Sequence, residues 1–173
     1  VTGSAAALMD DGGKLAALGA AAALAEAALP EREPHADVFD SLSALIAALG
    51  AAAAAADWAP AYVRFELGLL ASLGFGLDLA RCAATGANDN LAFVSPKTGR
   101  AVSLSAGEAW RAKLLALPRF LIAEPPDEER PARGEVGQGL ALTGYFLERH
   151  VFAPHGKGLP AARVRLAERL AKA

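Results

Sequence analysis

Apolar residues recur at helical spacing through most of the chain. From Lys14 to Leu29, the residues Leu15, Leu18, Ala22 and Leu29 fall on one side, and Pro30 ends the run. Residues 29–34 read as a charged, proline-bounded loop. Asp37 is placed as the N-cap of a second helix, in which Phe39, Leu42, Leu45, Ile46 and Leu49 keep the period before Gly50. A third helical stretch covers residues 51–73, with Tyr62, Phe65, Leu69, Leu70 and Leu73 as its stripe. Pro60 must either start that helix at its first turn or kink a longer one. Gly74 and Gly76 stop it, and Phe75 between them can fold back on the last turn.

The period then changes. Residues 85–90 are rich in turn formers, and Leu91–Val94 and Ala101–Leu104 are short apolar runs around the turn Pro96-Lys97-Thr98-Gly99. A β-hairpin insert is expected over residues 81–104. Ser105 and Glu108 fit a capping box opening a helix to about Leu117. A polar loop follows over residues 124–134, then a helix over residues 135–152, a turn at 154–158 and a last helix over residues 161–171 behind Pro160. The pattern predicts one mostly α domain, a helical bundle over residues 14–173, preceded by a linker or disordered start at residues 1–13. Beginning at Val1 rather than Met, the chain reads as the middle of a longer gene product.

Composition agrees with helix. The hydrophobic fraction is 54%, but Ala and Leu supply most of it and aromatics are only 6%. The net charge of −2 lacks the basic excess expected of a nucleic-acid-binding domain. With a single cysteine, Cys82, no intrachain disulfide can form, so a reducing cytoplasm is the expected setting. Neither a signal peptide nor an apolar run of spanning length is visible.

No catalytic constellation emerges. His35, His150 and His155 are scattered, without the paired spacing of a helical zinc site. His35 reads as solvated or capping and His150 as resting at a core edge. Gly74-Phe75-Gly76 follows a helix and lacks the Lys-Ser/Thr of a phosphate loop. Ser95 and Ser103 have no sequence-linked base, and Asp127-Glu128-Glu129 reads as a solvated acidic loop. Around Cys82 the insert has the frame of a zinc ribbon, but Thr85 and Ser103 stand where sulfur is needed. One thiolate cannot close a tetrahedral site, so no metal and no other cofactor is expected, and no enzymatic activity.

Several segments together resemble the RecO family of alphaproteobacteria. The most specific is Arg64-Phe65-Glu66-Leu67-Gly68-Leu69-Leu70, continuing through Leu73-Gly74-Phe75-Gly76-Leu77-Asp78-Leu79 to Arg81-Cys82-Ala83-Ala84-Thr85-Gly86. The loop of residues 29–34 is similar too, as are residues 93–103, Leu117-Pro118-Arg119-Phe120-Leu121, residues 142–150 and Leu159-Pro160-Ala161-Ala162-Arg163. The resemblance implies the family's C-terminal helical domain with its small zinc-ribbon-like insert, without the N-terminal OB barrel. Some members carry four zinc-binding cysteines there, and Cys82 alone implies the metal-free variant.

The family is a non-enzymatic recombination mediator in DNA repair. It helps load RecA onto single-stranded DNA coated by SSB, works with RecR, and docks the acidic, phenylalanine-ended SSB tail on its helical domain. The resemblance implies those partners here, with DNA binding weak or absent for this chain alone, and a cytoplasmic, nucleoid-associated place. A tail of that kind needs an apolar pocket for the ring and cations for its carboxylates. Arg64 and Leu67 on the third helix, with Arg149, Lys157 and Arg163 around the last inter-helix loop, are the candidate residues. Taken singly, each cation reads better as an ordinary solvated surface charge than as an anchor. The competing function is a helical protein–protein adaptor outside DNA repair, which an SSB tail peptide would fail to bind.

Overall fold

The computed structural model describes residues 8, 10–31, 33–122, 130–132 and 134–172. The acidic triplet at 127–129 and residues 1–7 and 9 of the expected N-terminal linker lie outside the described residues, while Gly12 and Gly13, placed in that linker, are helical. Helix α1 spans Gly12–Ala28 and begins slightly earlier than its apolar pattern, because Asp11 caps it. The Asp11 carboxylate accepts from Gly13 N at 2.7 Å and Lys14 N at 3.2 Å. Those backbone bonds, that to Lys14 first, hold its carboxyl below the ordinary range. Helix α2 spans Ala36–Ala51 with His35, not Asp37, at the N-cap position; Asp37 lies in the first turn, where its charge meets the positive end of the helix dipole.

The alanine run does not continue α2 into the next helix. Ala52 and Ala54 are extended, and α3 begins at Ala55 and ends at Ser72. The break is fixed by one side chain distant in sequence and one from the first turn of α3. The buried Lys14 donates Nζ–H to the Ala52 carbonyl at 2.7 Å, while Asp57 accepts from Ala54 N at 2.9 Å and Ala53 N at 3.2 Å. Pro60 lies inside α3, past the first turn.

Helix α3 is the centre of the bundle and packs against α1, α2 and α5 (Glu135–Phe146). Its buried positions Trp58, Tyr62, Phe65 and Leu69 run in one stripe, with Ala59, Val63, Glu66 and Leu70 beside it. Two glycines permit close approach. A Cβ on Gly68 would lie 2.6 Å from Ser41 Oγ on α2, and one on Gly139 would lie 3.0 Å from Val63 and 3.1 Å from Phe120. Helix α6 (Ala161–Ala171) packs on α1 and α5. No helix of the described residues is long and apolar enough to cross a membrane.

The insert is a three-stranded antiparallel sheet rather than a bare hairpin. Strands β1 (Leu91–Val94) and β2 (Ala101–Ser103) pair Phe93 with Val102 and Val94 with Ala101, around a turn that needs Gly99 at φ +68. Strand β3 (Leu115–Ala116) pairs with the other side of β1, giving the order β2-β1-β3. The expected helix from Ser105 to Leu117 is therefore corrected. Ser103 takes the cap instead, accepting from Ala106 N at 3.4 Å. One helical turn, α4 (Leu104–Gly107), passes into a 3₁₀ segment, Glu108–Lys113, before the chain extends. The chain must cross from β2 to the far side of β1, and Gly107 lies so close to Phe93 that a Cβ there would sit 2.4 Å from the ring.

The expected helix over residues 135–152 also changes type. After α5 the chain widens into a π-helical turn, Leu147–Phe152, then a 3₁₀ turn, Ala153–His155, closed by Gly156 at φ +66.

Candidate partner-docking site

The five sequence-derived candidates separate. Arg163, on α6, is 4% exposed and belongs to the core, which removes it from any surface rim. Glu66 of α3, fully buried, accepts from Arg163 Nε at 2.8 Å and Nη2 at 2.9 Å, a two-pronged pair. The same Nη2 donates to the Leu140 carbonyl at 2.6 Å, and Thr143 Oγ1 donates to Glu66. Gly144 makes room for the guanidinium, which would lie 3.2–3.4 Å from a Cβ there. Burial opposes the charge on Arg163, but the hydrogen bonds and charge of Glu66 outweigh it and raise its pKa. Tyr62 sits in the same environment, and burial with the Glu66 charge raises its pKa far above the ordinary value. The network joins α3, α5 and α6 and pairs both Glu66 oxygens within the domain.

Arg64 is exposed on α3, but its head is engaged within the domain. Nη2 donates to the Phe120 carbonyl at 2.8 Å, and the guanidinium lies 5.8 Å from the Phe120 ring centroid. Leu67, one turn on, is half-buried and packs at the core edge. These contacts do not include Arg149 or Lys157.

Arg149 and Lys157 are exposed, and their sequence neighbours His150 and His155 line a pocket the sequence did not reveal. Its lining comes from the end of α1 (Ala27, Ala28), from Leu73 and Phe75 after α3, and from His150, Val151 and His155. Phe75 gets there through a helix stop. Gly74, at φ +86, donates its N–H to Ala71 O at 3.0 Å, and Phe75 donates to Leu70 O at 2.8 Å. Phe75 does not fold back fully; it stays 40% exposed and stacks on His150 with ring centroids 5.2 Å apart. His150 in turn stacks on Phe146 at 5.9 Å, which is the core-edge position expected of it. Arg149 leans over Tyr145, 6.0 Å from its ring. The residues were visible in the sequence, but only the π-helical turn and the glycine stop bring them together.

His35 is half-buried, with Nδ1 3.5 Å from Ser72 Oγ and Nε2 buried without a partner among the described residues. Cys82 is buried in the insert, where Ser103 N donates to its sulfur at 3.3 Å and Ser103 Oγ lies 3.5 Å away. Burial pushes the thiol up, but hydrogen bonds from Thr85 and Ser103 outweigh it and bring it to about 6. Among the described residues no three His, Cys, Asp or Glu side chains converge as a metal site would require.

Residues 9–158 match the family described as recombination protein O C terminal. The DNA repair protein RecO of Rhodospirillum rubrum is 55% identical, over 98% of this chain and 68% of its own length. That of Rhodospirillum centenum is 56% identical, over 98% and 66%, and that of Caulobacter vibrioides NA1000 is 52% identical, over 96% and 66%. The chain thus spans about two thirds of the length of these relatives. No solved structure matches it. With a family match over most of its residues and named relatives above half identity, the chain belongs to the RecO family of DNA repair proteins, in that family's C-terminal region.

Proposed function

We propose that this chain serves recombinational DNA repair as a docking module, without catalysing a reaction itself. In that reading it helps a RecO-type mediator load RecA on SSB-coated single-stranded DNA, with RecR as a further partner. The observation that supports it is the pocket of Leu73, Phe75, His150, Val151 and His155, with the exposed cations Arg149 and Lys157 close in sequence to its histidines. An acidic tail ending in phenylalanine offers a ring for the apolar walls and carboxylates for the two cations. Aromatic anchoring in a pocket carries most of the energy of such contacts, while rim cations add rate and salt dependence. Arg64 and Leu67 form the second candidate position, weakened by the engagement of Arg64 with Phe120.

The test is a titration of a fluorescent SSB-tail peptide into wild type, Arg149→Ala, Lys157→Ala, Phe75→Ala and Arg64→Ala, with circular dichroism as a folding control. Weaker binding for the first three variants and unchanged binding for Arg64→Ala is expected. Loss only in Arg64→Ala would move the site to α3. No binding by folded wild type would favour a helical adaptor with another partner.

A further inference from the structure

Helix α2 carries more apolar surface than the bundle uses. Its buried residues are Val38, Leu45 and Leu49, and it packs chiefly against α3. Phe39 lies on the other side and is 70% exposed, the most of any large hydrophobic side chain among the described residues; Ile46 is 38% exposed. At helical period, Phe39, Ser43, Ile46 and Ala47 fall in one outward strip, and all four are exposed. The outward side of a surface helix ordinarily carries charge, yet residues 41–56 contain no Asp, Glu, Lys or Arg. A single exposed apolar side chain is common on any surface, whereas a continuous charge-free strip marks an interface.

Charge appears only at the N-terminal end of the strip. Asp37 and Asp40 are exposed in the first two turns, with Glu31 and Glu33 exposed just before the helix. None of the four forms a salt bridge among the described residues, and α2 itself holds no Lys or Arg. That pattern sorts the occupants. Nucleic acid and anionic lipid are repelled by the carboxylates. A second copy paired through α2 about a two-fold axis brings no cation to Asp37 or Asp40, and a contact with a different face of the copy leaves both chains open to further addition. What fits is a helix of another protein, apolar where it crosses Phe39, Ser43 and Ala47 and cationic at the end that reaches Asp37 and Asp40. Laid antiparallel, such a helix brings its C-terminal turn to the carboxylates, and cations are favoured at a helix C-terminus. The small side chains at Ser43 and Ala47 let its backbone approach closely.

We infer that the outward face of α2 docks an amphipathic, basic-ended helix of a partner protein, with Phe39 as the apolar anchor and Asp37 and Asp40 as the charge clamp. The 16 residues of α2 span roughly 24 Å, so one helix of about four turns fills the strip. An interface of that size is at the small, transient end of protein contacts. It does not rest on the tail-docking reading, since no residue of α2 lines the pocket at Phe75 and His150.

Two labelled synthetic helical peptides of about four turns test it. They share one row of Leu and Ala and differ only at the C-terminal end, Lys-Lys-Arg in one and Glu-Glu-Glu in the other. Each is titrated with the 173-residue chain and followed by anisotropy. The cationic peptide should bind at least about tenfold more tightly than the acidic one. Phe39→Ala should weaken it about tenfold or more, as loss of an aromatic anchor does. Asp37→Lys combined with Asp40→Lys should reverse the preference in favour of the acidic peptide. General loss of structure, which circular dichroism checks, weakens both peptides and cannot produce that reversal. In cells, a photo-crosslinking amino acid placed at Ser43 should capture a helical segment with a cationic C-terminal end, and the charge-reversed variant should lose it. The inference is overturned if the folded chain binds neither peptide at millimolar concentration, binds both equally, or binds as well without Phe39. Self-association abolished by Phe39→Ala in sedimentation, or a crosslink to a second copy or to another part of the same protein, would also overturn it.

Discussion

Replacing Arg163 by Ala should destabilise the domain severely while leaving tail-peptide affinity unchanged in the folded fraction. The magnitude follows from what is left behind. Glu66 is fully buried and loses both of its guanidinium donors, and the Leu140 carbonyl loses its 2.6 Å donor. Breaking a buried pair by removing one partner costs about 3–5 kcal/mol, because the remaining charge has neither water nor counter-ion. That is a large share of the roughly 5–15 kcal/mol by which a domain is stable. At about 2–4 °C per kcal/mol for a chain of this size, the melting temperature should fall by roughly 6–20 °C. Glu66→Leu combined with Arg163→Met should recover much of the loss, since an apolar pair removes both charges from the core. Urea and thermal unfolding of wild type, Glu66→Leu, Arg163→Met and the double variant give the coupling energy directly, with Arg163→Ala measured beside them. If the Arg163→Ala variant loses less than about 1 kcal/mol, or the double variant is no better than the sum of the singles, the buried-pair reasoning is wrong.

Gly107→Ala should destabilise by about 1–3 kcal/mol, because its Cβ would sit 2.4 Å from the Phe93 ring and the segment joining β2 to β3 must shift; chemical unfolding measures it. Asp11, Asp57 and Glu135 all have carboxyls held below the ordinary range, the first two mainly by backbone N–H groups, Glu135 by backbone bonds from Arg119 and Ala132 that outweigh its desolvation. Their contribution is present above the unfolded carboxyl pKa and lost as pH falls through the lower folded values. Melting temperature should therefore drop below about pH 4, and Asp57→Asn should flatten that limb. Cys82 should titrate with a midpoint near 6, followed as thiolate absorbance at 240 nm and absent in Cys82→Ser; a midpoint at or above 8 would show that burial wins over the Thr85 and Ser103 hydrogen bonds.

Much of the bundle was legible in the order of residues. The stripe of α3, the stop at Gly74 and the hairpin strands follow local rules, helical period and turn chemistry, and they stand where the pattern put them. Three departures involve partners distant in sequence. The alanine run breaks at Ala52 because Lys14, distant in sequence, takes its carbonyl. Ser105 and Glu108 satisfy a capping rule locally, yet the sheet requires an extended chain at Leu115 and the cap moves to Ser103. Arg163 carries no local mark of burial; only the meeting of α3, α5 and α6 gives it Glu66. For the same reason the candidate site was half legible. Arg149 and Lys157 were recognised as loop-flanking cations, but Phe75 and His150 become one surface only across two helix ends.

The docking account is tested most directly by mapping an unlabelled SSB-tail peptide onto the isotope-labelled chain by NMR. Resonances of Phe75, Arg149, His150, Val151 and His155 should shift together and saturate at one dissociation constant. Shifts centred on Arg64, Leu67 and Phe120 instead, or no shifts at millimolar peptide, would contradict it.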